Sequence, residues 1–333
     1  MKLQTARPGL CAPGGTISLA CIVLLSVLSV TTDAQVELRA DKQILLEATH
    51  GTQAIKSGPG NKLYVLTRSM KPPSSLWIAD YSGSSMRMIL GDGSEPTDLR
   101  FPKDFAVDRD GNAIVVDGSI KIFSSDGKLL GSFPADRPQS VGVLSDGRIL
   151  VSGFPKDSLI SVYDRKGNLL GHIGETVRVE DAPGSFSAFF NMGTIVVDDD
   201  DNIYYVFRFL LTPTVRKYTP EGKLVAEWHP ESAYLDKAIE HAKKTYETKK
   251  DQGNSGGNPI FTAGAFDPET KTLWVATGPQ VMQLDSSGKT IRNFGLFLPE
   301  GNPPLQAEGL LVDRDFIRAA TPLHGTFEFF KPH

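Results

Sequence analysis

The sequence predicts an all-β fold, a six-bladed β-propeller, from three observations: a repeated strand pattern, Asp-Gly turns at fixed places in each repeat, and an incomplete last repeat. From about residue 101 onward, an apolar strand leads to an Asp-Gly turn or a close variant, and further β-rich strands close on a second polar-Gly turn. A unit of four short strands cannot bury both of its faces alone, so tandem copies must stack, most economically in a ring. Propellers include both enzymes and pure binding modules, so the fold alone does not assign a function.

The repeats align from residue 52 to the C-terminal region. The clearest copies have their first turns at residues 108–112, 145–148 and 198–202, each followed by a short strand and a second hairpin. Another copy covers residues 261–291 after an insertion, and an earlier, degenerate copy covers residues 52–90. The last copy, residues 309–330, lacks a fourth strand.

That missing strand predicts how the ring closes. An open ring would leave an unpaired strand edge, so propellers pair the two chain ends in one blade. Residues 36–47 are the available partner, with apolar positions at Val36, Leu38, Ile44, Leu45 and Leu46. We therefore expect an N-terminal strand to complete the last blade, giving six blades in all.

The repeats resemble a known family. Val-Asp-x-Asp-Gly-Asn at residues 107–112, the strand that follows it, and Ile-x-x-Phe with Gly-Lys-Leu at residues 120–129 are similar to NHL-repeat six-bladed propellers. The resemblance covers most of residues 50–333 and implies the fold without implying an activity. The family often has Asp at the end of the second strand, where this chain has Asp117 but then Ser152, Phe207 and Thr277.

The first 34 residues read as a signal peptide. Lys2 and Arg7 precede an apolar run at residues 17–30, and residues 32–34 suit signal peptidase, so the mature chain is expected to start at Gln35. The alternative is an uncleaved membrane anchor, although the apolar run is shorter than the roughly 20 residues that a membrane span needs. We expect export to a periplasm or the cell exterior, with residues 35–333 as a single propeller domain and no stable membrane span after leader cleavage.

Composition narrows the classes of partner and chemistry. The formal net charge is −4 and no basic stripe is present, so nucleic-acid binding is not predicted. Both cysteines, Cys11 and Cys21, lie in the leader. The mature chain therefore has no disulfide, cysteine nucleophile or thiolate-bound metal.

One segment breaks the β pattern. Residues 230–250 have helical spacing of apolar residues and lysines near the end, where the helix dipole favours cations. The apolar stripe consists of Leu235, Ala238, Ile239, Ala242 and Tyr246. The helix is expected either to decorate the surface or to form a lid over the face on which propellers usually bind ligands.

The repeat alignment assigns candidate ligand-binding residues to that face. Connections between blades contribute Arg100, Arg137, Arg178, Phe190, His229 and Glu308, and loops after second strands contribute Asp117, Arg208 and His324. Arginines and aromatic rings together suit an anionic or sugar-like ligand, through bidentate hydrogen bonds and stacking. The competing interpretation of each residue is an ordinary role in a loop or in packing between blades.

Catalytic signals are weak. The six histidines show no His-Glu-x-x-His or His-x-His spacing, and no resident cofactor or metal site is predicted. Residues 198–201 are all Asp and suggest calcium, but the alignment assigns them to a hairpin turn that needs Asp for its geometry. The favoured function is an exported binding or scaffolding module for a protein or a small ligand. The alternative is a calcium-dependent, gluconolactonase-like lactonase with Asp117 and Glu308 as acidic contributors, so whether the chain is an enzyme stays open.

Overall fold

The computed structural model describes residues 36–45, 51–68, 74–90, 99–155, 157–179, 184–252, 256–300 and 304–332. The predicted signal peptide, residues 1–34, and its cleavage site lie outside the described residues. Within the described part of the chain, no helix is both long enough and apolar enough to cross a membrane.

Six sheets form the blades of the propeller, which confirms the predicted fold class. In chain order, two N-terminal strands, β1 (Val36–Arg39) and β2 (Lys42–Ile44), precede blade 1, which contains β3 (Thr52–Gly58), β4 (Lys62–Thr67), β5 (Ser75–Ala79) and β6 (Met86–Leu90). Blade 2 contains β7 (Asp104–Val107), β8 (Ala113–Asp117), β9 (Ser119–Phe123) and β10 (Leu129–Phe133), and blade 3 contains β11 (Ser140–Val143), β12 (Ile149–Ser152), β13 (Ser158–Tyr163) and β14 (Leu169–Glu175).

The second half of the ring contains the two helices. A short helix, α1 (Gly184–Phe190), precedes blade 4, which contains β15 (Gly193–Val197), β16 (Ile203–Phe207), β17 (Val215–Tyr218) and β18 (Leu224–Trp228). The inserted helix, α2 (Ala233–Asp251), leads to blade 5, with β19 (Ala263–Asp267), β20 (Thr272–Ala276), β21 (Gln280–Leu284) and β22 (Thr290–Phe297). Blade 6 contains β23 (Gly309–Val312), β24 (Phe316–Thr321) and β25 (Gly325–Phe330). The first strands contact one another in the order β3, β7, β11, β15, β19, β23, and β23 contacts β3, so they enclose a central channel.

The N-terminal segment closes the ring, as the sequence predicts. Strand β2 pairs antiparallel with β25 and supplies the fourth strand of blade 6, and Lys42 forms an ion pair with the buried Glu328 at 3.2 Å. The structure adds a second contact: β1 pairs parallel with β22 and becomes a fifth strand of blade 5. One N-terminal segment therefore joins two blades.

The Asp-rich turns have the role that their spacing predicts. The Oδ1 atom of Asp108 accepts the backbone N–H groups of Asp110 and Asn112 at 2.9 and 2.8 Å. Gly111 between them has a φ of 81°, a conformation that favours glycine. Because each repeat needs this local geometry, the turns recur with acidic residues at one end of the channel.

The hydrophobic core lies between neighbouring blades. For example, Leu66 and Leu76 of blade 1 share a buried cluster with Phe105 and Phe123 of blade 2. Burial of each such side chain contributes roughly 1.5–3 kcal/mol. Gly127 permits the close approach of these two blades, because a Cβ atom there would lie 2.2 Å from the backbone oxygen of Ile89.

Helix α2 occupies the predicted insertion. The Ser232 hydroxyl caps it by accepting the N–H of Leu235 at 3.2 Å, and the predicted apolar stripe turns inward, with Leu235 and Ala242 buried. Tyr246 packs against Phe186 and Phe190 of α1, with ring centroids 5.2 and 4.9 Å apart. The two helices therefore support each other beside blade 4.

Candidate functional site

The central channel opens into a cavity at each end. We call the first mouth the cavity where the first strands begin, with a volume of about 160 Å³, and the second mouth the cavity where those strands end, with a volume of about 460 Å³. Both lie on the axis, because Lys56, Gly264 and Leu310 line both. Cavities in this position, lined by several blades, are the main candidates for ligand binding.

Polar side chains from several blades surround the first mouth. They include Gln53, Lys103, Asp104, Gln139, Ser140, Thr194, Arg208, Thr262 and Glu308. Two of the nine predicted ligand-binding residues, Arg208 and Glu308, are therefore brought together here.

Arg208 combines a hydrogen-bonded backbone with a buried side-chain donor that has no partner in the described part of the chain. Its backbone N–H donates to the oxygen of Met192 at 3.0 Å, and its backbone oxygen accepts the N–H of Ile260 at 2.6 Å. Its guanidinium carbon lies 5.5 Å from the centroid of the Phe209 ring, and its Nε is buried with no hydrogen-bond partner among the described residues. Burial lowers the pKa of Arg208 below its ordinary value, although the nearby charges of Glu308 and Asp104 act to raise it. A buried donor without an acceptor is costly, so this position favours a bound acceptor.

Lys103 and Glu308 also line the mouth, with their backbones tied into the blades. The N–H of Lys103 donates to Val116 at 2.9 Å, and the N–H of Glu308 donates to Ala320 at 2.9 Å. No ion pair joins either side chain to another described residue. Burial, followed by repulsion from Arg68, lowers the pKa of the Lys103 ammonium. Both side chains are therefore available to a ligand.

Asp104, in contrast, is fully engaged by the protein. Its Oδ1 accepts the N–H of Phe105 at 2.8 Å, and its Oδ2 accepts the Ser140 hydroxyl at 2.6 Å and the N–H of Val141 at 3.2 Å. Ser140 Oγ in turn accepts the N–H of Ile195 at 3.1 Å. This chain of hydrogen bonds joins blades 2, 3 and 4 and gives Asp104 a structural role.

The second mouth has an acidic rim and an apolar wall. Asp108, Asp198, Asp199, Asp201 and Asp313 line it together with Lys56 and Arg109. Among the described residues, Asp198, Asp199 and Asp200 lie close enough together to hold a metal ion.

The chain's own donors engage most of these acidic groups. Asp198 accepts the backbone N–H groups of Asp200 and Asn202 at 3.0 and 2.8 Å and the Tyr204 hydroxyl at 3.2 Å. Asp199 pairs with Lys271, and Asp201 accepts the N–H of Ser145 at 2.9 Å. These contacts fit the turn role that the sequence predicts for residues 198–201.

Two more predicted site residues form a structural contact of their own. Asp117 accepts the backbone N–H groups of Arg100 and Phe101, at 3.2 and 2.7 Å, and the Lys121 ammonium at 2.8 Å. Its side chain is only 4% exposed. Asp117 therefore anchors the connection that leads into blade 2, and Arg100 contributes its backbone to that anchor.

The other predicted residues do not line the first mouth. Arg137 lies over the Phe154 ring at 4.7 Å and pairs with Asp136 at 3.6 Å. Phe190 is 1% exposed and belongs to the core cluster beneath α1. His229, Arg178 and His324 are exposed, and neither cavity lining includes them.

His229 and His324 have local partners. The Nε2 of His229 lies 3.4 Å from a Glu227 carboxylate oxygen. The backbone oxygen of His324 accepts a hydrogen bond from Gln43 at 2.8 Å, next to the closing strand β2.

Lys103, Gln139, Ser140, Thr194 and Thr262 were missed by the sequence analysis. They lie at or next to the start of the first strand in blades 2 to 5, a position that the repeat alignment does contain. The alignment emphasised the connections a few residues earlier, such as Arg100 and Arg137. Comparing the residue at that one position in every repeat would have found the lining.

No model of a known protein family matches this chain, and no curated protein matches it in sequence. A solved structure of a protein of unknown function from Bacteroides caccae is similar, with 16% sequence identity, a TM-score of 0.45, and coverage of 80% of this chain and 81% of that one.

Proposed function

We propose that this chain is an exported binding module built from NHL-like repeats, and that it binds a small ligand with an anionic group at the first mouth. The observation that carries this proposal is Arg208, whose backbone is hydrogen-bonded on both sides and whose buried Nε has no acceptor in the described chain. Guanidinium groups bind carboxylate and phosphate oxygens through short, charge-assisted hydrogen bonds. Lys103 adds a second cation to the same cavity.

The size of the cavity favours a small ligand, or a small group of a larger one. A volume of about 160 Å³ corresponds to the liquid volume of roughly five water molecules. A protein partner would therefore reach Arg208 with a single side chain or a chain terminus.

The hydrolase alternative has less support at this mouth. A calcium-dependent lactonase would need several oxygen ligands from converging side chains. Among the described lining residues, Asp104 and Glu308 are acidic, and the carboxylate of Asp104 is already occupied by Phe105, Ser140 and Val141. Metal analysis of the purified protein would revive the alternative if it found calcium bound at a ratio of one per chain.

Acetate is a direct probe of the proposed site. Thermal unfolding would be measured in sodium acetate and in sodium chloride at equal ionic strength, for the wild type and for Arg208→Gln. We expect acetate to raise the midpoint of the wild type by a few degrees when its concentration is well above Kd, and to have no such effect on Arg208→Gln. Arg137→Gln, which changes an exposed arginine outside both cavity linings, is the control and should respond like the wild type. Equal responses of wild type and Arg208→Gln would rule out Arg208 as the anion site.

Export is a separate part of the proposal. The protein would be expressed from its full-length gene and recovered from the cell envelope and the medium. Intact mass should show a chain that begins at or near Gln35. A mature pool that retains residues 1–34 would favour the membrane anchor instead.

A further inference from the structure

The first mouth contains charges of both signs that are not paired with each other. Arg208 and Glu308 line one cavity and interact electrostatically, but no ion pair joins them. The backbone of Arg208 is hydrogen-bonded to Met192 and Ile260, and that of Glu308 to Ala320, while the Glu308 residue itself is exposed. Neither charged side chain forms an ion pair with another described residue.

A simple anion would pair with only one of these two charged groups. It would gain hydrogen bonds from Arg208 but would be repelled by the Glu308 carboxylate in the same small cavity. A simple cation would pair with Glu308 but would be repelled by Arg208. The arrangement favours a ligand that presents a negative group to Arg208 and a positive, hydrogen-bond-donating group to Glu308.

From this juxtaposition we propose that the first mouth binds a free α-amino acid, with its carboxylate on Arg208 and its ammonium group on Glu308. This inference rests on the proposed function and names the chemical class of the ligand. The hydroxyl of Thr194 and the amide of Gln139 complete the lining and offer hydrogen bonds to a polar side chain. Lys56 and Lys103 also line the mouth, so amino acids with an acidic side chain fit the lining best.

The size of the cavity agrees with this class. A cavity of about 160 Å³ has room for the charged end of a small molecule such as an amino acid. Its polar lining also suits a ligand with charged groups at both ends.

The experiment compares L-glutamate with two analogues that each lack one charged group. Glutarate lacks the ammonium group, and 4-aminobutyrate lacks the α-carboxylate. Isothermal titration of the mature protein should show that glutamate binds at least about tenfold more tightly than either analogue, because each analogue leaves one charged group without its partner. If glutamate is not preferred, each of the other standard amino acids is compared with the same molecule without its amino group. That panel tests whether the site binds any free α-amino acid.

Substitutions at the two charged residues give different patterns for amino acids and for acetate. Glu308→Gln should weaken amino-acid binding by about tenfold or more and should strengthen acetate binding, since the repulsive charge is gone. Arg208→Gln should weaken both, and Arg137→Gln should change neither. The unfolding midpoint of each variant shows whether it is folded.

The outcomes separate this inference from the proposed function. If no amino acid binds more tightly than its deaminated acid, while acetate still binds through Arg208, the amino-acid proposal is wrong and the anion site stands. If neither acetate nor any amino acid binds in a manner that depends on Arg208, both proposals are wrong.

Discussion

Charged residues line both mouths of the channel, but the two mouths use them differently. At the second mouth, Asp108, Asp198 and Asp313 each accept hydrogen bonds or ion pairs from their own chain. At the first mouth, Arg208 and Glu308 are held by their backbones, and their side chains have no ion-pair partner among the described residues. Charged residues that serve the fold are paired, and those left unpaired in a cavity are the candidates for function.

The difference follows from how each end is built. The second mouth is formed by hairpin turns, whose geometry requires Asp or Asn in repeat after repeat. The first mouth is formed by the connections between blades and by loops after second strands, such as the one with Arg208, and these segments differ in length and composition. Residues at that end are therefore free of turn requirements.

The largest effect is expected for Arg318, which is fully buried behind the second mouth. It donates to Glu328 at 2.8 Å, pairs with Asp313, and lies 4.4 Å from the Tyr81 ring centroid. Arg318→Gln should lower the free energy of unfolding by about 3–5 kcal/mol, because Glu328 would lose its buried partner. Urea unfolding measures this, with the exposed Arg314→Gln as a control that should cost little. Equal losses in the two variants would contradict the assigned role.

The next effect concerns the turn carboxylate Asp198. Asp198→Ala removes the acceptor for Asp200, Asn202 and Tyr204, and should cost about 2–4 kcal/mol in unfolding free energy. Asp200→Ala changes an exposed neighbour in the same turn and should cost less than about 0.5 kcal/mol. If Asp198 bound a ligand and played no part in the turn, Asp198→Ala and Asp200→Ala would be equally stable.

Alkaline pH should lower the free energy of unfolding, in part through Tyr204, which donates to Asp198 at the second mouth. Burial, followed by the Asp198 charge, raises the pKa of Tyr204 above its ordinary value of 10.0. Above about pH 10 the unfolded chain releases this proton while the folded chain keeps it. The stability contribution is therefore present below pH 10 and is lost as pH rises, by up to about 1.4 kcal/mol per pH unit for this one group.

Tyr204→Phe tests that dependence. It removes one titrating group and one hydrogen bond, so the variant should be about 1 kcal/mol less stable near neutral pH but should lose stability less steeply between pH 10 and 11. Urea unfolding at several pH values provides the comparison. Parallel curves for the variant and the wild type would exclude Tyr204 as a source of the alkaline loss.

The smallest effect is expected at the first mouth. Arg208→Gln should change the unfolding free energy by less than about 0.5 kcal/mol, because the guanidinium makes no ion pair with the described chain and its burial without an acceptor is itself unfavourable. The same variant should abolish the acetate response. A loss of several kcal/mol would show that Arg208 supports the fold, and the contrast between the two mouths would disappear.

Much of the ring could be predicted from local pattern. The Asp and Gly positions of residues 108–112 and 198–202 predict hairpins, because turn geometry depends on neighbouring residues alone. The missing strand of the last repeat predicts the pairing of β2 with β25. The parallel pairing of β1 with β22 was not predicted, since nothing in the local pattern of Val36–Arg39 indicates a partner more than 250 residues away.

The candidate site also has a part that the repeats could predict and a part that they could not. Arg208 and Glu308 could be assigned to the ring face from their places in the repeats, and the structure brings them into one cavity. Phe190 and Asp117 have equivalent places in their own repeats, yet one is packed under α1 and the other anchors a backbone connection. Repeat position determines the end of the blade on which a residue lies, whereas its distance from the axis depends on how each connection packs.

The sequence by itself determined the strands, the turns, the number of blades and the closure of the last one, because each depends on periodicity and on short-range backbone chemistry. Only the tertiary structure decided which charged side chains are paired. That choice depends on distances between residues from different blades, such as the hydrogen bond from Ser140 to Asp104. Those distances arise when the blades pack side by side around the channel, and no single repeat contains them.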